Sequence, residues 1–252
     1  ITNNSNESAL LAQKIYKTNF LKALIIEKKR KKEKSFLIKI LESILNKNLI
    51  ERLIILSKPP KTKKILLKEF KLRNKATKKF YKKYTNYSYP NVDIHITEDC
   101  NDFNSLNFIK KFNPDLTLIW GTGIIKKPII LSSRHIINCH FSRLPYYKGS
   151  FSEFWIFFHK DFEKSGITFH LVTEKLDGGD IIKFIHNDCK TNPFEMRYKN
   201  IELLLDNVNM LICDYINNNI KLSPQNSLSQ KHTFKFNDIK IEHKERVYLQ
   251  IK

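Results

Sequence analysis

Glycine is scarce in this chain, six residues in 252, and cysteine scarcer still at four. No G-x-S-x-G stretch occurs, so the strained serine elbow of an α/β-hydrolase has no counterpart here. Cys100, Cys139, Cys189 and Cys213 show neither C-x-x-C spacing nor a pairing with histidine at zinc-finger distances. Free thiols in a reducing compartment and the absence of a bound metal are the expectation. No apolar run approaches the roughly 18 to 20 residues that span a bilayer, and no signal peptide opens the sequence, which points to a cytoplasmic protein. Arginine is also rare. Of 45 basic residues only seven are Arg, whereas bidentate reading of phosphate or guanine favours Arg over Lys. The net charge of +20 is therefore read first as a solvated lysine surface of an AT-rich composition. A nucleic-acid partner is allowed by that charge but not favoured.

What is present is ordinary for a folded α/β protein. An apolar fraction of 41% and a charged fraction of 28% argue against gross disorder, and 252 residues can bury a sizeable core. NNSNES leads into a helix carrying Leu10, Leu11 and Ile15, and ALIIE (23–27) reads as a short buried strand. Because an α/β unit normally places a strand before such a turn, a first strand is expected upstream of Ile1. EKKRKKEK reads as a solvated connection, and SFLIKILESILNKNLIERLIIL as an amphipathic helix through Phe36, Leu37, Ile40, Leu41, Ile44 and Leu45, stopped by Pro59 and Pro60. Residues 61–87 form a basic, tyrosine-containing helix or helix pair, packed through Leu66, Leu67, Phe70 and Phe80. The stretch 28–88 is thus a Lys-rich helical insert. VDIHIT is a strand, and SLNFIKKF a helix ending near Asn113-Pro114.

LTLIWGTGI and IINCHF are two apolar runs about a dozen residues apart, the pattern of parallel strands in a wound sheet. Ligands in such sheets sit beyond the carboxyl ends of the strands, where GTG and N-x-H fall. On a strand Asn138 and His140 project from one face and Cys139 from the other. FSEFWIFFHK follows as an aromatic helix with Trp155 in the core, GITFHLV as a strand, EKLDGGDIIKF as a loop entering a strand, and residues 193–216 as a long amphipathic helix. Asp177 sits in the Gly-bearing loop. An amide, an imidazole and a carboxylate suit attack of a neutral nucleophile on a carbonyl: the first two donate to oxygen as charge develops, and the third manages protons or tunes the imidazole.

NCHFSRLPYYKG followed by EFW, SGITFH and LDGGDII resembles the folate-dependent formyltransferase family. PDLTLIWGTGIIKKPII is similar to the strand and turn that precede its Asn-His element. The resemblance spans roughly residues 1–216 and is sharp from Asn113 to Ile182. It implies a Rossmann-like, mostly parallel wound sheet over 1–216, with 217–252 as a short C-terminal extension. It also implies transfer of a formyl group from 10-formyltetrahydrofolate to a primary amine, with Asn138 and His140 at the formyl oxygen and Asp177 moving the proton. Gly123, Ile124 and Ile125, with Leu176, Gly178 and Asp180, would border the folate. EFW and GDII look most like the sugar-nucleotide amine formyltransferases, so a small amino-sugar nucleotide is the expected acceptor. Glycinamide ribonucleotide, methionyl-tRNA, hydrolysis of the formyl donor, and a noncatalytic RNA-binding protein on this scaffold are the alternatives. Phe141 and Arg143 depart from the family's Pro and Leu. Arg143 stands open between an acceptor-phosphate contact and solvent, and His170 is expected to be structural or supporting. The oligomeric state is not fixed by the sequence, a homodimer being compatible with it.

Overall fold

The computed structural model describes residues 1–28, 45–226 and 232–251. The EKKRKKEK connection beyond Lys28, and the helix expected through Phe36, Leu37, Ile40, Leu41 and Ile44, lie outside the described residues.

Strand β1 (Thr2–Asn3) leads into helix α1 (Asn6–Tyr16), whose first turn is capped by the Ser5 hydroxyl on the Ser8 N–H. Strands β2 (Ala23–Glu27) and β3 (Asp93–Thr97) complete a parallel trio in the order β1-β2-β3. Between them lie helices α2 (Lys47–Leu56) and α3 (Pro60–Tyr81). Residues 60–81 are one helix rather than two. Pro60 opens it instead of merely ending what precedes, since the missing N–H costs nothing in a first turn.

Helix α4 (Phe103–Phe112) starts on an Asp102 cap and stops at left-handed Asn113. Strand β4 (Leu116–Ile119), the short helix α5 (Lys127–Ile130) and strand β5 (His135–His140) follow. β4 and β5 are parallel. Strands β7 (Gly166–Leu171) and β8 (Ile181–His186) then extend the sheet antiparallel, in the order β4-β5-β7-β8. A Thr2–Trp120 bridge joins the two halves, so the chain order reverses between β1 and β4. That is the switch point of a doubly wound α/β sheet.

Alternation along β5 sorts the layers. Ile137 and Cys139 enter a core with Leu10, Ile15, Phe169, Leu204 and Val208, built between α1, β7 and helix α7 (Pro193–Ile216). Ile136 faces the opposite layer with Ile25, Ile109, Ile119 and Ile129. Each such side chain contributes about 1.5–3 kcal/mol on burial. Burial of the Cys139 thiol raises its pKa, in keeping with a core residue and not a nucleophile.

The third aromatic core carries the C-terminal residues. Strand β6 (Tyr147–Gly149) pairs in parallel with β9 (His232–Phe234), and helix α6 (Ser152–His159) packs beside helix α8 (Ile241–Tyr248). Trp155 stacks on Phe234 at 4.6 Å between centroids. All six glycines fall between positions 121 and 179. Gly149, at φ +90°, has no alternative, because a Cβ there would lie 2.1 Å from the Phe234 carbonyl oxygen.

An apolar cavity of about 660 Å³ opens beside β1, which covers only Ile26 and Glu27 of β2. Leu11, Leu24, Phe112, Leu116 and Ile212 line it, and neither the Asn138 to His140 strand end nor Asp177 does. Among the described residues no helix is long and apolar enough to cross a membrane.

Candidate active site

The last residues of β5 present the expected pair. Asn138 and His140 share the face of Ile136, and across the sheet they stand opposite His170 and Thr168 of β7. Direct cross-strand neighbours lie close enough for side chains to meet. Asn138 Nδ2 accordingly donates to His170 Nε2 at 3.1 Å. The other ring nitrogen, His170 Nδ1, donates to the Leu171 carbonyl at 2.8 Å. A carbonyl only accepts, so the proton sits on Nδ1 and Nε2 is left to receive the amide. Burial lowers the His170 pKa to about 4, against the opposing pull of Asp177, so the ring is neutral near pH 7.

His140 is almost enclosed, at 7% exposure. Its Nε2 donates to the Tyr147 carbonyl at 2.7 Å, the same oxygen that receives the Ser142 hydroxyl at 2.6 Å. The free edge of the ring is therefore Nδ1, 3.6 Å from Asp177 Oδ2. Asp177 Oδ1 lies 3.7 Å from His170 Nε2. The carboxylate, 8% exposed, is fixed by the Gly149 N–H, which donates to Oδ2 at 2.8 Å. Asp177 itself is left-handed at φ +45°, a conformation that Asp and Asn tolerate better than other side chains. Lys148, half-buried on the same strand as Gly149, has its pKa lowered by burial, while attraction to Asp177 works the other way.

The structure thus brings Asn138, His140 and Asp177 into one cluster with His170 as a fourth member. An exposed ion pair links the flanks of the two turns expected to border a ligand. Lys127, just after the Gly123–Ile125 turn, pairs with Glu174 ahead of Leu176 at 3.1 Å. Ile124 is 69% and Leu176 43% exposed, which puts two large apolar side chains in solvent on adjacent turns. Ile125 instead enters the core. The Gly123 N–H is taken by Glu27 Oε2 at 2.9 Å, while Glu27 Oε1 accepts from the Cys100 N–H at 3.2 Å. Glu27 and Cys100 thus approach each other and Asp99 as ligand-type atoms, with both Glu27 oxygens already engaged by backbone. The Asp180 carbonyl receives the Leu171 N–H at 2.9 Å, and Gly178 N–H closes the turn onto the Lys175 carbonyl at 3.1 Å.

The Arg143 guanidinium lies over the Phe184 ring at 5.1 Å, and Phe141 packs in the core against Trp120. Trp155 is core, 5% exposed. The Tyr147 carbonyl, the Gly149 N–H, Glu27 and Gln225 are the parts of the site that sequence reading missed. Backbone groups leave no residue-type signal. Glu27, a carboxylate closing an apolar strand, is the one visible clue among them.

The Asn138 amide, the His140 Nδ1 edge and the Asp177 carboxylate 3.6 Å from it are side-chain types that attack on a carbonyl requires. A family model described as "Formyl transferase" matches residues 30–192. A methionyl-tRNA formyltransferase from Campylobacter jejuni subsp. doylei is 32% identical over 145 residues, 57% of this chain. The match spans 46% of that relative, so the chain covers about half the length of the curated relatives it matches. Among solved structures, a multiply substituted variant of HypX from Aquifex aeolicus superposes with a TM-score of 0.50 at 14% identity, covering 69% of this chain and 32% of that one. A sugar N-formyltransferase from Shewanella sp. gives 0.49 at 15% identity, covering 69% and 74%. The HypX likeness concerns the fold. The family match runs through β4, β5, β7 and Asp177, the segments that build the cluster, and on it this chain belongs to the formyl transferase family.

Proposed function

We propose that the chain transfers a formyl group from 10-formyltetrahydrofolate to a primary amine. The observation that carries this reading is the juxtaposition of Asn138, His140 and Asp177, the carboxylate 3.6 Å from His140 Nδ1 and Asn138 bonded to His170 beside them. The folate fits the two adjacent turns, where Ile124 and Leu176 offer apolar surface to a flat ring beside the backbone of Gly178 and Asp180. Bound there, it supplies a formyl carbon on a nitrogen leaving group. Asn138 Nδ2 donates to the formyl oxygen as it gains negative charge, and the His140 ring, whose Nε2–H is held by the Tyr147 carbonyl, donates from Nδ1 once that nitrogen also carries a proton. Asp177 holds the imidazolium, accepts the proton the amine releases and returns it for the departing nitrogen.

For the acceptor, two readings rest on different observations. Lys64, Lys68, Lys71, Lys75, Lys78 and Lys82 follow one another along α3 and its cap at steps of three and four residues. That is one helix stripe about 27 Å long. Five are exposed, Lys68 is half-buried, and none of the six makes an ion pair among the described residues, while Lys61, Lys79 and Lys83 beside them pair with Glu245, Glu195 and Glu202. Like charges at this spacing destabilise a helix by a few tenths of a kcal/mol per pair, and a polyphosphate backbone removes that cost. With the curated relatives named as methionyl-tRNA formyltransferases, this favours the amine of an aminoacyl-tRNA. The second reading, an amino-sugar nucleotide, rests on the EFW and GDII segments.

The experiment is release of tetrahydrofolate from 10-formyltetrahydrofolate with methionyl-tRNA, an amino-sugar nucleotide panel, glycinamide ribonucleotide or no acceptor. Turnover with one acceptor names the substrate class. Release without any acceptor points to hydrolysis, and no release under any condition removes the enzyme reading.

A further inference from the structure

The C-terminal segment reaches the Asp177 loop from two directions, and neither contact follows from the motifs. We infer that Gln225 is a positioning residue for the catalytic carboxylate. The inference rests on the formyl-transfer reading of Asp177. Gln225 Nε2 donates to the Asp177 carbonyl at 3.0 Å and to the Gly179 carbonyl at 2.6 Å. Two carbonyls can only accept, so the amide nitrogen must face them, and both of its N–H bonds are engaged by one turn. Those carbonyls flank Gly178, so one side chain sets the backbone on either side of the turn that begins at left-handed Asp177.

The strap that carries Gln225 is itself tied down. Ile181 and Ser223 exchange reciprocal backbone hydrogen bonds, each of 2.8 Å, at the start of β8. On the other side of the carboxylate, Gly149, whose N–H holds Asp177 Oδ2, is registered to Phe234 of β9, and the Ser150 N–H donates to the Phe234 carbonyl at 2.9 Å. Backbone and side chain of Asp177 are thus both placed by residues beyond position 216. The loop needs such ties. Leu176 is exposed, Asp177 carries a non-glycine left-handed strain of order 1 kcal/mol, and the 3.6 Å spacing to His140 tolerates little drift.

The test uses the full chain with Gln225→Leu, which keeps the shape and removes both donors, and Gln225→Asn, which keeps the amide one methylene shorter. Lys221→Ala, on the exposed approach to the strap, is the control. Turnover is measured with the acceptor that supports it, together with thermal unfolding and hydrogen exchange of residues 177–180. Gln225→Leu is expected to lower kcat about tenfold, with KM for the amine changed less than about threefold and the melting temperature within a few degrees of the parent; two hydrogen bonds are enough for this. Gln225→Asn should fall between parent and Leu variant, exchange at 178–180 should rise in the same order, and Lys221→Ala should match the parent. Parent-like kcat in Gln225→Leu overturns the assignment, as does a loss of activity that tracks the melting temperature with no change in exchange. If Gln225→Leu does not fold, the Asn variant carries the test by the same two readouts. A parent that releases no tetrahydrofolate under any condition overturns the formyl-transfer reading instead, while exchange at 178–180 still reports whether Gln225 holds the loop.

Discussion

Replacing Asp177 by Asn isolates the charge from the fold. At φ +45° Asn is the one substitution that keeps the backbone preference, and its side-chain oxygen still accepts the Gly149 N–H. Alanine there would add left-handed strain and confuse the result. What Asn removes is a carboxylate, 8% exposed, 3.6 Å from His140 Nδ1. A unit charge pair at that separation is worth about 4 to 5 kcal/mol at an effective dielectric constant near 20, which converts to about a thousandfold or somewhat more in rate. General acid–base roles span about 10² to 10⁴, so the two routes to the magnitude agree. The assay is absorbance-monitored release of tetrahydrofolate at saturating acceptor, with thermal unfolding in parallel. We expect kcat to fall about a thousandfold with the melting temperature within about 2 °C of the parent. A folded Asp177→Asn protein retaining activity within about threefold would refute the role given to the carboxylate.

Burial of His170 makes stability depend on acid. Unfolded histidine takes a proton near pH 6.5, whereas folded His170 resists protonation down to about pH 4, so stability falls as pH falls through that window and is unaffected above it. Urea unfolding should show about 2 kcal/mol lost between pH 7 and pH 5, and His170→Gln should abolish most of that slope; equal slopes in both proteins would contradict it. Gly149→Ala should destabilise by about 2–4 kcal/mol, since its Cβ would lie 2.1 Å from the Phe234 oxygen, and an unchanged urea midpoint would show that the β6–β9 pairing is dispensable. Joint replacement of Lys71, Lys75 and Lys78 by Ala should reduce the salt dependence of tRNA binding by about one unit of log–log slope per lost phosphate contact. Turnover of a small amino-sugar nucleotide should not respond, and an unaltered slope for tRNA would return the stripe to plain solvated surface.

Local periodicity carries its information along the chain, and wherever function depends on it the sequence was sufficient. Period two along IINCHF determined that Asn138 and His140 share a face and that Cys139 points away into the core. The two apolar runs ending in GTG and N-x-H determined a parallel β4–β5 pair with chemistry at the carboxyl ends. The order of NCHFSRLPYYKG, SGITFH and LDGGDII was enough to indicate the family. What the tertiary structure alone decided are contacts between distant positions. Asp177 is held by a backbone N–H 28 residues away and by a side-chain amide 48 residues away. Which His140 nitrogen faces Asp177 depends on a carbonyl of Tyr147, and the neutrality of His170 depends on how completely β7 is covered. The lysine stripe was hidden inside an evenly basic composition until the helix assigned partners to its neighbours and left six without an ion pair among the described residues. Every residue carries the same backbone donor and acceptor, and desolvation comes from whatever packs above, so neither leaves a pattern in residue order.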